Sequence, residues 1–394
     1  MKVFVFDLVP YARHLDHLKV NGHLPHPMEK KHFDPRVAVQ TYAEHLDAWV
    51  ELERLGYDGV AINEHHVTPY GLMNSPNLIA ASAAQRTRKL KILIYGNLLP
   101  IHDPLRLAAE IAMLDCLSDG RIICGIARGA PREYRVFNVP LAESRERFDE
   151  CYEIMHQAWT KESFSFEGRF HSYKDVAIWP RPVQQPHPPV WMPVNRSKDS
   201  IEWAAAHDIP ITPGGGSGPT REDTVRYYAD CLAAGERRIT PDHLNITVDS
   251  YIADSRAQAI EEAAPYLRYF YTLYNFDHVP LNEAGAYYSK TAAEHLRPEL
   301  RAAAFDDSLR SRELTMDDVV RHAEANAWGT PQQVADRIIV EAEAVGASTI
   351  LVSMNRGAMP QEMFLNQIRR FGAEVLPILQ SHPITRVPLA ETRG

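Results

Sequence analysis

The chain has 394 residues, of which 45% are hydrophobic and 24% charged, and its formal net charge is −9. This composition is typical of a folded soluble protein, and the length suffices to bury a large core without disulfide or metal crosslinks. The acidic balance and the lack of a dense basic run argue against a nucleic-acid-binding protein. No apolar stretch approaches the roughly 18 residues of a membrane span. The four scattered cysteines form no CxxC pair, so we expect a cytoplasmic protein.

Short β-branched segments alternate with segments of helical periodicity along the first part of the chain. Each such pair predicts one parallel βα unit. In chain order the predicted elements are strand 2–8, helix 37–55, strand 58–64, helix 76–86, strand 90–99, helix 104–117, strand 121–129 and helix 145–159. Pro76 marks the start of one helix, and Asp119-Gly120 marks the end of another.

The second part of the chain opens with a different pattern. Residues 163–179 alternate aromatic and polar side chains around Glu167-Gly168, which predicts an inserted β-hairpin. A further helix is predicted to open at Thr220, with Asp223 three residues later as in a helix cap. The other predicted elements are strand 190–194, helix 200–207, strand 209–212, strand 245–252, helix 255–273, helix 331–345, strand 348–354 and helix 361–379.

The number of strand–helix units predicts the architecture. Eight strands with eight helices favour a (β/α)8 TIM barrel, because doubly wound sheets more often have five or six strands. Two segments, residues 11–35 and 275–326, interrupt the repeat. Insertions in barrels commonly cover the carboxyl-terminal rim, so both segments are candidate lids. Since no internal repeat or low-complexity linker is present, we expect one domain of residues 1–394.

Three titratable residues, Glu64-His65-His66, end the second predicted strand. Active sites of barrel enzymes lie at the carboxyl ends of the strands, which makes these residues catalytic candidates. Alternation along a strand places Glu64 and His66 on one face and His65 on the other, so one metal ion shared by both histidines is awkward. A histidine that titrates near neutral pH is better suited to proton transfer. Hydrogen-bonded rim histidines without a catalytic role are the alternative.

Candidate phosphate-binding residues follow the fourth and fifth predicted strands. The fourth strand ends in Ala127-Arg128-Gly129, where a guanidinium can bind two phosphate oxygens and the glycine allows close backbone approach. Residues 195–200 include Ser197 and Ser200 at a predicted helix start, where backbone N–H groups favour an anion. A surface ion pair of Arg128 and ordinary capping by the serines are the structural alternatives.

Two further features concern the predicted rim. The glycine-rich residues 213–219 lack the spacing of a dinucleotide-binding loop, and we interpret them as a flexible loop over a ligand. The densest aromatic cluster is a candidate substrate-pocket lining, with packing of a helix face on the barrel as the alternative. That cluster comprises Tyr266, Tyr269, Phe270, Tyr271, Tyr274 and Phe276. The chain has no HExxH, GxSxG or Walker motif and no paired zinc cysteines.

Taken in order, these segments resemble the bacterial luciferase-like flavin monooxygenases. The similarity is closest in residues 56–139. Residues 56–72, with Glu64-His65-His66, are similar to the family's strand-two signature. Residues 99–106 and 114–121 are similar to its third unit, 125–137 to its fourth unit, and 328–335 to the entry of its final helix. The resemblance covers most of the chain apart from the two insertions.

The resemblance implies a reduced FMN cofactor (FMNH2) lying across the strand ends. His65 matches the family's catalytic histidine, which assists proton transfer beside the flavin, and His66 and Glu64 would support it. The family's non-prolyl cis peptide bond falls near Tyr95-Gly96, where Tyr95 departs from the small residues that are usual. The cofactor-binding positions implied are Ala127, Arg128, Gly129, Tyr95, Gly96, Asn97, Ser197 and Ser200.

The resemblance also implies partners and leaves other functions open. It implies oxygenation of a small organic substrate with O2, an NAD(P)H-dependent flavin reductase that supplies FMNH2, and a homodimer. A deazaflavin-dependent oxidoreductase of the same fold is the nearest alternative, and a non-catalytic flavin-binding protein is another. A metal-dependent barrel hydrolase would use His65 or His66 with other histidines, drawn from His14, His17, His23 and His26.

Overall fold

The fold is a curled parallel sheet surrounded by helices, described from a computed structural model of the chain. The structure describes residues 1–20, 23–194, 197–214, 218–274, 293–304 and 312–391. Within these ranges, nine strands form one sheet in which all neighbouring strands are parallel. Two more strands form an antiparallel hairpin. The predicted α/β class, parallel sheet and inserted hairpin are therefore confirmed.

The strands match the predicted segments closely, with one addition. They are β1 (Lys2–Asp7), β2 (Gly59–Ile62), β3 (Lys91–Leu98), β4 (Ile122–Ala127), β5 (Phe164–Glu167), β6 (Ser172–Val176), β7 (Val190–Val194), β8 (Ile211–Pro213), β9 (Asn245–Ile252), β10 (Ala327–Gly329) and β11 (Thr349–Ser353). The order in the main sheet is β10-β9-β11-β1-β2-β3-β4-β7-β8, and β5 pairs with β6. The short strand β10 was not predicted.

The curled sheet brings β8 and β9 together. A parallel bridge joins Ile211 of β8 to Leu244, and the Thr212 hydroxyl donates a hydrogen bond to the side-chain oxygen of Asn245. The helices lie on the convex side, where Val3 and Val5 of β1 pack in the main core. The alternate side chains fill the inside of the curl and comprise Phe4, Ala61, Leu93, Ile123 and Leu351. Complete closure into a (β/α)8 barrel stays a prediction.

The helices begin and end at the residues that favour such boundaries. Asp34, Asp103 and Thr330 each accept a hydrogen bond from the first turn of a helix whose first residue is proline. The helices are α1 (Pro35–Leu55), α2 (Pro76–Arg86), α3 (Pro104–Ser118), α4 (Pro131–Val136), α5 (Ser144–Thr160), α6 (Lys198–Ala206), α7 (Pro219–Ala234), α8 (Arg256–Tyr274), α9 (Pro298–Ala304), α10 (Met316–Ala325), α11 (Pro331–Val345), α12 (Gln361–Glu374), α13 (Leu376–Ser381) and α14 (Pro388–Glu391). None of the described helices is both long and apolar enough to cross a bilayer.

Three predicted boundaries need correction. β2 ends at Ile62, so the segment Glu64-His65-His66 lies in the loop beyond the strand. α7 begins at Pro219 with Gly218 as its N-cap, because the proline occupies the first turn, and Thr220 is already helical. The single helix predicted at 361–379 is divided at Val375, since Pro377 lacks the N–H that would continue the hydrogen bonds of α12.

The two insertions meet at one ion cluster. Residues 11–35 contain two short 3-10 turns, and the Lys19 ammonium lies 2.8 Å from a carboxylate oxygen of Asp16 and 2.9 Å from one of Glu313. Within the second insertion, α9 and α10 are described, whereas residues 275–292 and 305–311 lie outside the described residues. The role of either insertion as a lid stays a prediction.

Candidate active site

A cavity of about 420 Å³ opens at the carboxyl ends of the parallel strands. This size falls within the range of about 300–1,000 Å³ that is typical of small-molecule and cofactor sites. The predicted site residues that line it are Glu64, His65, Tyr95, Gly96, Ala127, Arg128, Gly129, Ser197 and Ser200. Two other predicted residues, His66 and Asn97, lie beside the cavity without lining it.

A buried carboxylate holds His65 at the cavity wall. The Nδ1 atom of His65 lies 3.2 Å from Oε1 of Glu133, whose side chain is 1% exposed. Burial alone would raise the pKa of Glu133, but the hydrogen bond and charge of His65, together with the charge of Arg132 and a backbone hydrogen bond, outweigh it and lower the pKa to about 2. Glu133 is therefore ionised at any working pH, and it accepts from the imidazole.

Glu64 belongs to a second network beside the first. Its carboxylate accepts from His66 Nε2 at 2.7 Å, from His102 Nε2 at 2.9 Å and from the backbone N–H of Leu98 at 2.9 Å. Burial would raise the pKa of Glu64, but the hydrogen bonds from the two histidines lower it to about 2. Glu64 and His66 lie together and apart from His65, as predicted, although the segment lies in a loop and strand alternation is not the cause. Direct support of His65 comes from Glu133, whereas the resemblance implied Glu64 and His66.

Arg128, Ser197 and Ser200 form a polar corner of the cavity, and Arg145 lies behind it. Arg128 is 7% exposed, and the hydroxyl of Tyr134 donates to its backbone carbonyl. Arg145 of α5 donates to the Ser200 hydroxyl at 2.7 Å. Burial, followed by the nearby charge of Arg128, lowers the pKa of Arg145. The Ser197 hydroxyl caps α6 by accepting from the N–H of Ser200, so this corner combines positive charge with a helix N-terminus.

The backbones of β3 and β4 touch at the floor of the cavity. The peptide bond between Tyr95 and Gly96 is cis, which confirms the position predicted for it. A Cβ atom on Gly96 would lie 2.8 Å from the backbone of Gly125, and one on Gly125 would lie 2.1 Å from the carbonyl oxygen of Ile94. Only glycine therefore fits at these two positions. Asn97 is fully buried, and among the described residues its side-chain amide has no hydrogen-bond partner.

The aromatic cluster divides between the cavity and the rim. Tyr274 lines the cavity, and its ring centroid lies 5.4 Å from that of Tyr70, which also lines it. Tyr269 instead holds the first insertion, since its hydroxyl accepts from the N–H of Leu15 and donates to the carbonyl of Arg13. Phe276 lies outside the described residues, as do Asn195, Arg196 and residues 215–217 of the glycine-rich loop.

Sequence reasoning missed three residues of the site: Glu133, Arg145 and His102. Each lies beyond the end of a strand, Glu133 on α4, Arg145 on α5 and His102 in the loop before α3. No sequence motif marks Glu133 or Arg145 as a residue of the same site as Arg128. For His102, the only indication in the sequence was that it lies in residues 99–106, which are similar to the family's third unit.

The described residues contain no group of three His, Cys, Asp or Glu side chains that could share one metal ion. The histidines proposed as metal ligands therefore do not converge within the described part of the chain. His65 and His66 each face a different carboxylate.

Comparisons with known proteins place the chain in one family. The family model of luciferase-like monooxygenases matches residues 20–349. The oxygenase component of the flavin-dependent trigonelline monooxygenase of Acinetobacter baylyi is 25% identical over 358 residues, which are 90% of this chain and 94% of that protein. The crystal structure of monooxygenase RslO1 from Streptomyces bottropensis has a TM-score of 0.71 at 26% identity, covering 96% of this chain and 99% of that one.

Two more distant structures share the fold. The oxygenating constituent of 3,6-diketocamphane monooxygenase from Pseudomonas putida, in complex with FMN, has a TM-score of 0.71 at 19% identity, with 96% of this chain and 98% of that chain covered. An F420-dependent secondary alcohol dehydrogenase has a TM-score of 0.63 at 15% identity, with 86% and 95% covered. The family match spans most of the chain, so this oxidoreductase belongs to the luciferase-like monooxygenase family.

Proposed function

We propose that the chain is an FMN-dependent monooxygenase that uses reduced flavin and O2 to oxygenate a small organic substrate. The observation that carries this proposal is that Arg128 lines the same cavity as His65 beside the capped start of α6, with Arg145 behind it on the Ser200 hydroxyl. Arg145 is 24% exposed and lies 3.5 Å from a carboxylate oxygen of Asp149, yet its pKa is still lowered by burial and by the charge of Arg128. Positive charge in excess of the nearby carboxylate therefore remains at this corner, which favours a bound anion. FMN carries a phosphate that matches this corner.

The residues present fit this cofactor. Arg128, Arg145 and the backbone N–H groups at the start of α6 would hold the phosphate, and the Nε atom of Arg145 is buried without a hydrogen-bond partner among the described residues. Gly129 has a φ of +88°, which a side chain would disfavour, and it leaves the backbone open to the ligand. Reduced FMN, when bound, supplies the electrons that activate O2.

The side chains around the cavity have separable roles in this proposal. His65 takes up and releases a proton at the cavity wall. Phe6, Leu98, Met192 and Tyr274 contribute apolar surface that excludes water, which would otherwise divert the oxidant from the substrate. Glu64, together with His66 and His102, fixes the loop after β2 against the end of β3, and we assign it a positioning role.

The test uses the purified protein with reduced FMN delivered by a generic flavin reductase. We expect tight binding of reduced FMN in the absence of O2, and transfer of ¹⁸O from ¹⁸O2 to a product when aldehydes, sulfonates, heterocycles and alkanes are screened. His65→Ala should retain the FMN affinity and lower turnover by about 10²–10⁴-fold. Failure to bind reduced FMN, or hydride transfer from reduced F420 without O2 uptake, would overturn the proposal in favour of the deazaflavin alternative.

Partners and assembly are also proposals. The relative from Acinetobacter baylyi is the oxygenase component of its system, which supports a separate NAD(P)H-dependent flavin reductase here. We further propose closure of the sheet into a full (β/α)8 barrel, supported by the bridge between Ile211 and Leu244. A homodimer is supported by exposed apolar side chains on two neighbouring helices, Leu78 on α2 at 74% exposure and Met113 on α3 at 51%.

A further inference from the structure

We propose that Glu133 is the positioning residue of His65: it keeps a proton on Nδ1 and so leaves Nε2 as the atom that exchanges protons with the cavity. This inference rests on the proposed function, because the role of His65 is part of that function. It assigns the control of proton transfer to a residue on α4, outside the segment Glu64-His65-His66.

The carboxylate of Glu133 is fixed on several sides. Oε1 lies 3.2 Å from His65 Nδ1 and 3.3 Å from Nη2 of Arg132, and Oε2 accepts from the backbone N–H of Ala130 at 3.2 Å. Its side chain is 1% exposed, so water does not compete for these contacts. The group therefore presents one oxygen to His65 in a constant direction.

The chemistry follows from what a carboxylate can do. An ionised carboxylate only accepts hydrogen bonds, so an imidazole nitrogen facing it must carry a hydrogen in both the neutral and the charged ring. The same pairing orients catalytic and metal-binding histidines generally, because the partner of one ring nitrogen decides the state of the other. In His65 the nitrogen that faces Glu133 is Nδ1, so Nε2 changes its protonation state.

Glu64 does not compete for this role. Its carboxylate is engaged by His66, His102 and the backbone of Leu98. Arg128, directly after β4, is a further charged side chain of the cavity lining, and Arg132 on α4 faces Glu133 itself. The Tyr70 ring packs edge-on against His65 with centroids 5.0 Å apart. Tyr274 lines the same cavity from α8. Glu133 is the acidic group in described hydrogen-bond contact with His65.

The first experiment observes His65 directly in the cofactor-free protein. Imidazole ¹⁵N spectra of histidine-labelled protein, assigned by difference from His65→Ala, report which ring nitrogen carries the hydrogen. We expect the Nδ1–H form in the wild type. In Glu133→Gln the amide can donate as well as accept, so the Nε2–H form should appear. A wild-type His65 in the Nε2–H form overturns the proposal.

The second experiment measures turnover as a function of pH. Glu133→Gln keeps an acceptor for the N–H of Ala130, and we expect kcat to fall by about 10–100-fold with the limb of the pH profile that reports His65 moved to lower pH. The matched control is Glu150→Gln, because Glu150 accepts from His171 Nδ1 at 2.8 Å on the hairpin, away from the cavity. It should leave kcat and the pH profile unchanged.

The outcomes separate this inference from the proposed function. If the wild type fails to bind reduced FMN or to oxygenate any substrate, the function fails, and the nitrogen spectra still decide whether Glu133 sets the tautomer. If oxygenation is confirmed but Glu133→Gln leaves both the spectra and the pH profile unchanged, the inference fails alone. If Glu133→Gln does not fold, the ¹⁵N spectrum of the wild type still tests the inference, because it shows which ring nitrogen of His65 carries the hydrogen.

Discussion

Glu64 and His65 are adjacent in the sequence, yet their side chains belong to different hydrogen-bond networks. Glu64 joins the loops after β2 and β3 through His66 and His102, whereas His65 faces the cavity and Glu133. Substitutions at neighbouring positions should therefore have different consequences. A change at Glu64 should loosen the contact between the two loops, and a change at His65 should remove the group to which we assign proton transfer while that contact persists.

The paired arginines lead to a prediction at the same scale. Arg145→Ala should weaken FMN binding by about 10–100-fold, because a charge-assisted hydrogen bond contributes about 1.5–3 kcal/mol, and should change riboflavin binding little, since riboflavin lacks the phosphate. Arg128→Ala should behave alike. Fluorescence titration gives the Kd of each variant for FMN and for riboflavin. Arg147→Ala is the matched control, because Arg147 lies on the same helix but covers the Phe170 ring at 4.2 Å. Equal losses for both flavins would contradict the phosphate role.

Candidate site residues could be predicted from the sequence where they directly follow a predicted strand. His65 and Arg128 were found because polar residues directly after buried strands point to a barrel mouth. Glu133 and Arg145 were missed because a helix turns its side chains through all directions, and the packing of α4 and α5 decides which of them reach the cavity. Their positions relative to Arg128 follow from tertiary structure and carry no local pattern.

Among the elements, α2 and α3 are neighbouring helices that both expose large apolar side chains. Leu78 is 74% exposed on α2, while Met113 and Leu117, one turn apart on α3, are 51% and 38% exposed. Large apolar side chains grouped on neighbouring elements commonly mark an interface between proteins. A second copy of the chain is the partner that we proposed for this face.

The proposed interface predicts the mass of the protein in solution. Light scattering should give twice the 44.6 kDa of the chain, and Leu78→Glu should shift the mass toward one chain, because a carboxylate buried at the interface loses its hydration. Val340→Glu is the control, since Val340 is 57% exposed but lies on α11. A monomeric wild type would contradict the proposed dimer. A dimer that persists with both Leu78→Glu and Met113→Glu would show that the interface lies elsewhere.

Element boundaries were predictable where capping residues coincide with a change of periodicity. The bounds of α2, α11, β7 and β9 agree with the predicted segments because proline, glycine or β-branched runs define both ends. β10 escaped prediction since three residues, Ala327–Gly329, are too few to show alternation. It forms because β9 extends beyond β11 and offers free edge positions at Ser250 to Ile252.

At the scale of the whole molecule, three buried carboxylates contribute to stability near the mouth of the curled sheet. Burial alone would raise their pKa values, but hydrogen bonds and nearby positive charges lower the pKa to about 2 in Glu64, Glu133 and Asp249. Asp249 of β9 pairs with His322 and, at 3.0 Å, with Arg356. All three carboxylates hold loops or helices from distant parts of the chain together.

These carboxylates predict the acid sensitivity of the fold. In the unfolded chain they bind protons at about pH 4, so their stabilisation is present above that pH and is lost as the pH falls toward about 2. Urea unfolding of the cofactor-free protein between pH 6 and pH 3 measures the loss. Glu64→Gln should lower stability at pH 6 and reduce its pH dependence. Glu162→Gln, at a fully exposed side chain, should leave the pH dependence unchanged, and an equal dependence in all three proteins would refute the assignment.

The lining of the cavity comes from widely separated parts of the chain, from Phe6 in the first strand to Tyr274 at the end of α8. More than two thirds of the polypeptide must therefore be synthesised before Tyr274, the last lining residue in chain order, is present. Arg128 and His65 are synthesised long before Ser200, so both side chains exist before the cavity that encloses them is complete. We therefore expect the cofactor to bind only late in synthesis. Truncated chains that stop after β4 should not bind it.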